Sequence, residues 1–426
     1  MGRMMRLAGI AGMIVLFSCT LCLAQSNEEC QECHDDPEAT GENERRGEYS
    51  VYVDDEVYSN SIHGDLDCIE CHEELEGVDF PHDEIETRKV ECGLCHEDAV
   101  AEVSHSVHSP KFRDRAPDIP GCSDCHGVHD ILAVDDPASS VSKANQPRTC
   151  AVCHADEEIT ERNRIVLPDV ISHYAESIHS RLIRSGNTEA ATCSDCHHGH
   201  EILSPLEQHS TIFKPNIPKT CGACHEDALA QYDISLHAQS LNAGNKDAPV
   251  CTDCHSEHDI LKPENPAAPT HGFNVAVEVC SPCHASERLA KKYGFRWRQV
   301  KSFSESYHGL ALRGGKSTVA NCGSCHGVHD ILPSSDPRSR INPANLQETC
   351  GACHPNATEN FARGSIHFTT ELAENKLTYF VRMFYIFLIT VTIGFMFIHN
   401  GLDFVHRVRI LYRNKYPDLF PHQRSV

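Results

Sequence analysis

Twenty-two cysteines of this chain fall into eleven copies of one string, two cysteines separated by two residues with a histidine directly after the second. The thiol pairs are Cys30 and Cys33, Cys68 and Cys71, Cys92 and Cys95, Cys122 and Cys125, Cys150 and Cys153, Cys193 and Cys196, Cys221 and Cys224, Cys251 and Cys254, Cys280 and Cys283, Cys322 and Cys325, and Cys350 and Cys353. The histidines that follow them are His34, His72, His96, His126, His154, His197, His225, His255, His284, His326 and His354. Thiols at this spacing can form thioethers to the two vinyl groups of a haem, and the adjacent imidazole can then reach the iron from below the ring. The motifs use every cysteine beyond residue 24, which implies eleven covalently attached haem c groups. Zinc knuckles would leave the adjacent histidines coincidental, since structural zinc assembles four ligands from paired motifs. Disulfides, favoured in oxidising compartments, account for an even cysteine count but not for histidines in register.

Each iron also needs a ligand on its other face, and an internal repeat of about 129 residues, running over roughly 104–361, supplies the candidates. The stretch Cys122 to Leu132 recurs as Cys251 to Leu261, and His197, His200, Glu201, Ile202 and Leu203 return as His326, His329, Asp330, Ile331 and Leu332. Within each repeat lies a shorter two-haem module: a Ser-x-His, a haem motif, a His-(Asp/Glu), then a second haem motif. The Ser-x-His elements end at His63, His108, His179, His237, His308 and His367, and the His-(Asp/Glu) elements are His82, His129, His200, His258 and His329. Six and five make eleven distal candidates for eleven irons. His105, His173, His198, His209 and His271 do not recur at the repeat spacing and read as surface or propionate-bonding imidazoles. All six methionines lie in the two apolar ends, so bis-His ligation is expected throughout, with potentials toward the reducing end of the haem range.

Little else in the chain can position these groups. Large apolar residues are sparse between the ends, and from Cys30 to His367 there is about one haem motif per 31 residues. The interior is therefore expected to be largely porphyrin and the apo-protein largely unfolded. Near the start, the alternation of Tyr49 to Val53 and then Val57 and Tyr58 predicts a short hairpin across Asp54 and Asp55.

The paired motifs, the strings His126 to Leu132 and His326 to Leu332, and the Ser-Ile-His and Ser-Val-His elements together resemble the membrane-anchored members of the periplasmic multihaem c-type cytochromes of anaerobically respiring bacteria. The resemblance covers roughly Cys30 to His367. It implies a fold of short α-helices and loops around stacked haems, and a role in electron transfer. Small quinol-oxidising relatives carry their anchor at the N-terminus, whereas here the anchor stands at the C-terminus.

The ends bear on localisation. Residues 1–24 read as an export signal, with Arg3 and Arg6 ahead of an apolar run and Cys22-Leu23-Ala24 at the expected cleavage site; a lipid anchor at Cys19 is the weaker alternative. Residues 25–376 form the expected haem domain, 377–400 a transmembrane helix and 401–426 a tail. Arg407, Arg409, Arg413 and Lys415 follow the apolar run and predict a cytoplasmic tail and a periplasmic haem domain, on a single-pass protein of the bacterial inner membrane. His399, Asp403 and His406 share one helix face, a candidate contact with a b-type cytochrome or other quinone-linked partner, or else ordinary interfacial polarity.

A net charge of −24 argues against nucleic acid. Residues 26–100 hold 25 Asp or Glu against four Arg or Lys, and this acidic lobe is the expected dock for a basic redox acceptor. The leading expectation is an undecahaem relay between quinone-linked membrane proteins and a periplasmic or outer-membrane acceptor. The rival is a multihaem reductase of nitrite, hydroxylamine or a sulfur oxyanion, which needs an open iron position. Its best foothold is His34, because no distal candidate precedes Cys30.

Overall fold

The computed structural model describes residues 25–43, 47–82, 85, 87–112, 118–165, 169–316, 318–362, 366–368 and 376–416. The expected export signal and the final part of the expected tail lie outside the described residues. The chain divides into two compact units, Met1–Asn216 and Ile217–Val426. Each is a succession of short helices and turns, and apart from one helix of 40 residues none of the described helices exceeds nine. Helices this short are not stable by themselves in water and must be held by what packs on them.

The side chains that pack are small. The largest fully buried ones are Thr192 and the serines Ser106, Ser109, Ser177, Ser210, Ser235 and Ser339. In the second unit Leu241, Ala248 and Val250 cluster, with Ile217 against them. Hydrogen bonds supply more of the local order. Asn145 donates from Nδ2 to the carbonyls of Pro137 and Ser139, and Asn274, 129 residues on, donates likewise to Pro266 and Ala268. Asn216 and Asn345 form a second such couple, bonded to Gln208 and Ser210 and to Pro337 and Ser339. The sequence repeat is thus a repeat of local structure.

The expected hairpin across Asp54 and Asp55 is not formed. A hairpin does occur, but upstream: Thr40–Asn43 pairs antiparallel with Gly47–Ser50, with Thr40 opposite Ser50 and Asn43 opposite Gly47. Asp54 instead starts a helix, Asp55–Ser59, because its carboxylate accepts the Val57 N–H at 3.0 Å while Asp55 and Glu56 favour the positive end of the helix dipole.

The last element, Lys376–Lys415, is one continuous helix whose apolar portion has a mean hydropathy of 2.1 and is buried nowhere. It fits a single-pass membrane anchor. At about 1.5 Å per residue its 40 residues extend about 60 Å, roughly twice a hydrocarbon core. The helix therefore runs on past residue 400 through the basic segment expected as a tail, and Asp403 pairs there with Arg407 at 2.9 Å.

Candidate haem-binding sites

Five of the haem motifs are themselves single helical turns: Cys68–Cys71, Cys122–His126, Cys193–His197, Cys251–His255 and Cys322–His326. These are the second, fourth, sixth, eighth and tenth along the chain. In each, the residue before the second cysteine reaches back to the backbone N–H that opens the turn. Asp67 N–H donates to Glu70 at 2.8 Å, Gly121 to Asp124 at 2.6 Å, Thr192 to Asp195 at 2.7 Å, Val250 to Asp253 at 2.8 Å and Asn321 to Ser324 at 3.2 Å. This cap holds both thiols and the imidazole on one turn.

The turn ends abruptly in four of the five. The next residue has a positive φ, at Gly127 (87°), His198 (65°), Ser256 (68°) and Gly327 (85°). A Cβ on Gly127 or Gly327 would collide with the carboxylate of Asp130 or Asp330. At His198 and Ser256 the chain carries a side chain in a region that suits glycine, a strain of about 1–3 kcal/mol each. His198→Gly and Ser256→Gly should therefore raise the melting temperature of the haem-loaded protein, and Gly127→Ala or Gly327→Ala should lower it. Thermal melts of the four variants test this, and a neutral response from both glycine substitutions would remove the strain argument.

Nine imidazole pairs face one another across a nearly constant gap. His34 lies 5.9 Å from His82 between ring centres, His63 5.9 Å from His96, His72 6.5 Å from His129, His108 6.2 Å from His154 and His126 6.0 Å from His200. In the second unit His237 stands 6.2 Å from His284, His255 6.1 Å from His329, His308 6.2 Å from His354 and His326 6.0 Å from His367. Every pair joins a histidine that follows a cysteine pair to one of the distal candidates. An imidazole nitrogen about 2 Å from a metal, with its ring centre roughly 1 Å further out, puts two trans ring centres about 6 Å apart. The residues present thus fit haem held between two histidines. The other four candidates, His179, His197, His225 and His258, each make an interaction of their own.

The pairing follows a rule that the sequence alone did not disclose. The third, fifth, ninth and eleventh motifs face a Ser-x-His that precedes them. The second, fourth and eighth face a His-(Asp/Glu) that follows. The first and tenth are exceptions, facing His82 and His367. His34, which had no upstream candidate, thereby has a facing imidazole, and its Nδ1 lies 2.7 Å from the carbonyl of Val51.

The serine of the Ser-x-His string has a structural task. Ser177, Ser235 and Ser306 accept the N–H three residues on and so cap the helices Ile178–Arg184, Leu236–Asn242 and Tyr307–Arg313, which carry the distal histidine in their first turn. The residue after the serine ties the element to a remote His-(Asp/Glu) string. Ile62 N–H donates to the Ile131 carbonyl at 2.8 Å, Val107 to Ile202 at 2.8 Å and Leu236 to Ile331 at 2.9 Å. The clamp sets His63 beside His129, His108 beside His200 and His237 beside His329, distal candidates that serve successive motifs.

Cysteines join the alternate steps. First cysteines of successive motifs lie close enough for one to shift the titration of the other, Cys68 with Cys30, Cys92 with Cys122, Cys150 with Cys193, Cys221 with Cys251 and Cys280 with Cys322. The interaction between neighbouring thiols pushes Cys150, Cys221 and Cys280 up, with burial adding to it, and holds Cys193, Cys251 and Cys322 down. Within each unit the motifs therefore follow one another in space as in sequence. Burial, with the facing imidazole adding to it, keeps His108, His126, His255 and His326 below the ordinary histidine range and takes His237 down to about 4. A neutral ring is the form that binds a metal.

The five non-recurring histidines are placed apart from this scheme where their partners are visible. His105 lies 3.8 Å from Glu201, and the His271 ring lies tilted against Phe273 with ring centres 5.0 Å apart. Among the described residues no three His, Cys, Asp or Glu side chains are grouped as a metal cage would require.

Paired thiols beside facing imidazoles suggest a multihaem c-type cytochrome with covalently bound haem. A distant likeness agrees: over 219 residues the chain is 25% identical to the multiheme cytochrome MtrA of Shewanella baltica (strain OS185), a stretch covering 48% of this chain and 52% of that protein. The chain spans about half the length of that relative. No family profile and no solved structure matches it.

Proposed function

We propose that the chain is an eleven-haem, bis-His electron-transfer protein, anchored by its C-terminal helix in the bacterial inner membrane with the haem domain in the periplasm. It relays electrons between quinone-linked membrane partners, such as a b-type cytochrome, and a periplasmic or outer-membrane acceptor in anaerobic respiration. The observation that carries this reading is the set of nine facing imidazole pairs at iron-straddling separation. Bound haem supplies one-electron chemistry at each site. The protein's part would be to hold it there: the two cysteines of each motif would fix one edge, facing histidines would hold the iron, and the backbone clamps set which segments lie beside one another. A relay needs no bond chemistry from any side chain. The likeness to a multihaem cytochrome favours such a carrier over an enzyme.

A reductase of nitrite, hydroxylamine or a sulfur oxyanion would need one iron without a second histidine. His82 opposite His34 counts against the place where the sequence left most room for it. Low-temperature EPR of the oxidised protein separates the two readings. Low-spin ferric haem alone is the expected spectrum, whereas one haem's worth of high-spin iron that responds to nitrite or hydroxylamine would replace the relay by the reductase.

A further inference from the structure

One axial candidate has an anionic partner on the ring nitrogen that faces away from the iron. His200 Nδ1 lies 3.3 Å from Glu102 Oε2, while the His200 ring faces His126 at 6.0 Å. With Nε2 reserved for iron, Nδ1 carries the proton and donates it to the carboxylate. Glu102 stands on the helix Glu97–His105, and a reciprocal contact of 3.8 Å between His105 and Glu201 holds the same two segments together.

The position of Glu102 is defined by the fold. It lies four residues before Ser106, the serine of the clamp between Val107 and Ile202. The residue four before another such serine, Ser302 ahead of Ser306, has its Oγ 3.1 Å from Nδ1 of His367, the partner of His326. The same place is thus aimed at the outer nitrogen of a distal histidine in both units. One repeat on from Glu102 it is filled by Gln231, on the helix Glu226–Asp233. The two helices start alike, from His96 at φ −108°, ψ 52° and from His225 at φ −102°, ψ 56°. The clamp from Leu236 to Ile331 repeats the one from Val107 to Ile202.

We infer that Glu102 is a potential-setting residue, which makes the site of His126 and His200 more reducing than its counterpart of His255 and His329, where Gln231 takes its place. The inference rests on the bis-His reading above. A carboxylate that accepts the Nδ1 proton gives the imidazole anionic character and makes it the stronger ligand, which favours ferric over ferrous iron. A neutral amide or hydroxyl draws the proton less. Two sites that descend from one repeat unit thereby acquire different potentials through a single side chain.

The experiment is an optical redox titration, with parallel EPR, of the full-length haem-loaded protein and of Glu102→Gln and Gln231→Glu. Mass spectrometry counts the haems in each. Glu102→Gln should make one component easier to reduce by roughly tenfold in its oxidised-to-reduced ratio, about 59 mV for one electron. Gln231→Glu should move one component by a similar amount in the opposite direction. The remaining components should stay in place. Unmoved potentials in both variants, or shifts of the same sign, at full haem content would overturn the assignment and leave the bis-His reading intact. Should Glu102→Gln lose haem, Gln231→Glu decides alone, since it leaves the contact between Glu102 and His200 in place. High-spin iron or missing haem in the unaltered protein would instead bring down the bis-His reading and this inference with it.

Discussion

Synthesised without haem attachment, the chain should fail to fold, and the loss should be close to total. The largest fully buried side chains are a threonine and six serines, and the helices outside the anchor run to at most nine residues. Neither can offset the conformational entropy of several hundred ordered residues, which costs about 1–2 kcal/mol each for the backbone alone. The measurement is circular dichroism and limited proteolysis of the exported protein from a host with and without the haem attachment machinery. With attachment, intact mass should show eleven covalent haems and a protease-resistant domain. A folded, resistant apo-protein would mean that the side chains sustain the interior unaided, and a mass several haems short would reduce the proposed count.

Electron delivery to a cationic acceptor should slow steeply as ionic strength rises. The 25 acids and four bases of residues 26–100 set up a negative field that would draw a basic partner in, and salt at physiological strength screens it beyond about 8 Å. Neutralising part of that field should flatten the salt dependence without changing haem content. The structure decides which acids to choose. Glu73, Glu76 and Asp79 are exposed, whereas Glu74 is mostly covered, accepts the Arg88 N–H at 2.8 Å and stands 3.9 Å from His72. The substitutions should be Glu73→Gln, Glu76→Gln and Asp79→Asn, with Glu74 left in place. Stopped-flow rates that ignore both salt and these changes would leave the lobe as solvated surface, with electrons leaving elsewhere.

The motifs and the candidate ligands could be read from the sequence because each is a short string whose chemistry is local: two thiols and an imidazole on one turn, or a serine that caps the helix bearing a histidine. Which imidazole faces which could not. That depends on backbone bonds such as Val107 to Ile202, which join segments 95 residues apart and leave no mark on either string. The residue before the second cysteine closes the cap in the even motifs, as Glu70, Asp124, Asp195, Asp253 or Ser324, but the first motif carries Glu32 at the same place, so the device appears only with the backbone in view. The hairpin was misplaced because alternation of side chains said strand for residues 49–58 while Asp54 said helix start, and the cap prevailed. Glu102 is one glutamate among many until its distance from His200 is known.

The rule of facing histidines governs how such a chain can change its length. From the second motif to the fifth, and again from the eighth to the eleventh, the motifs look forward and back along the chain in turn for their partners, so neighbours are not interchangeable. Inserting a single motif would put two that look the same way side by side, one of them with no histidine to meet. Inserting or deleting two keeps the parity, and the 129-residue step between Asn145 and Asn274, which carries four motifs, keeps it as well. A lineage of these chains is thus expected to lengthen and shorten in even numbers, with departures from the rule confined to the termini, where the first motif already looks forward, from His34 to His82.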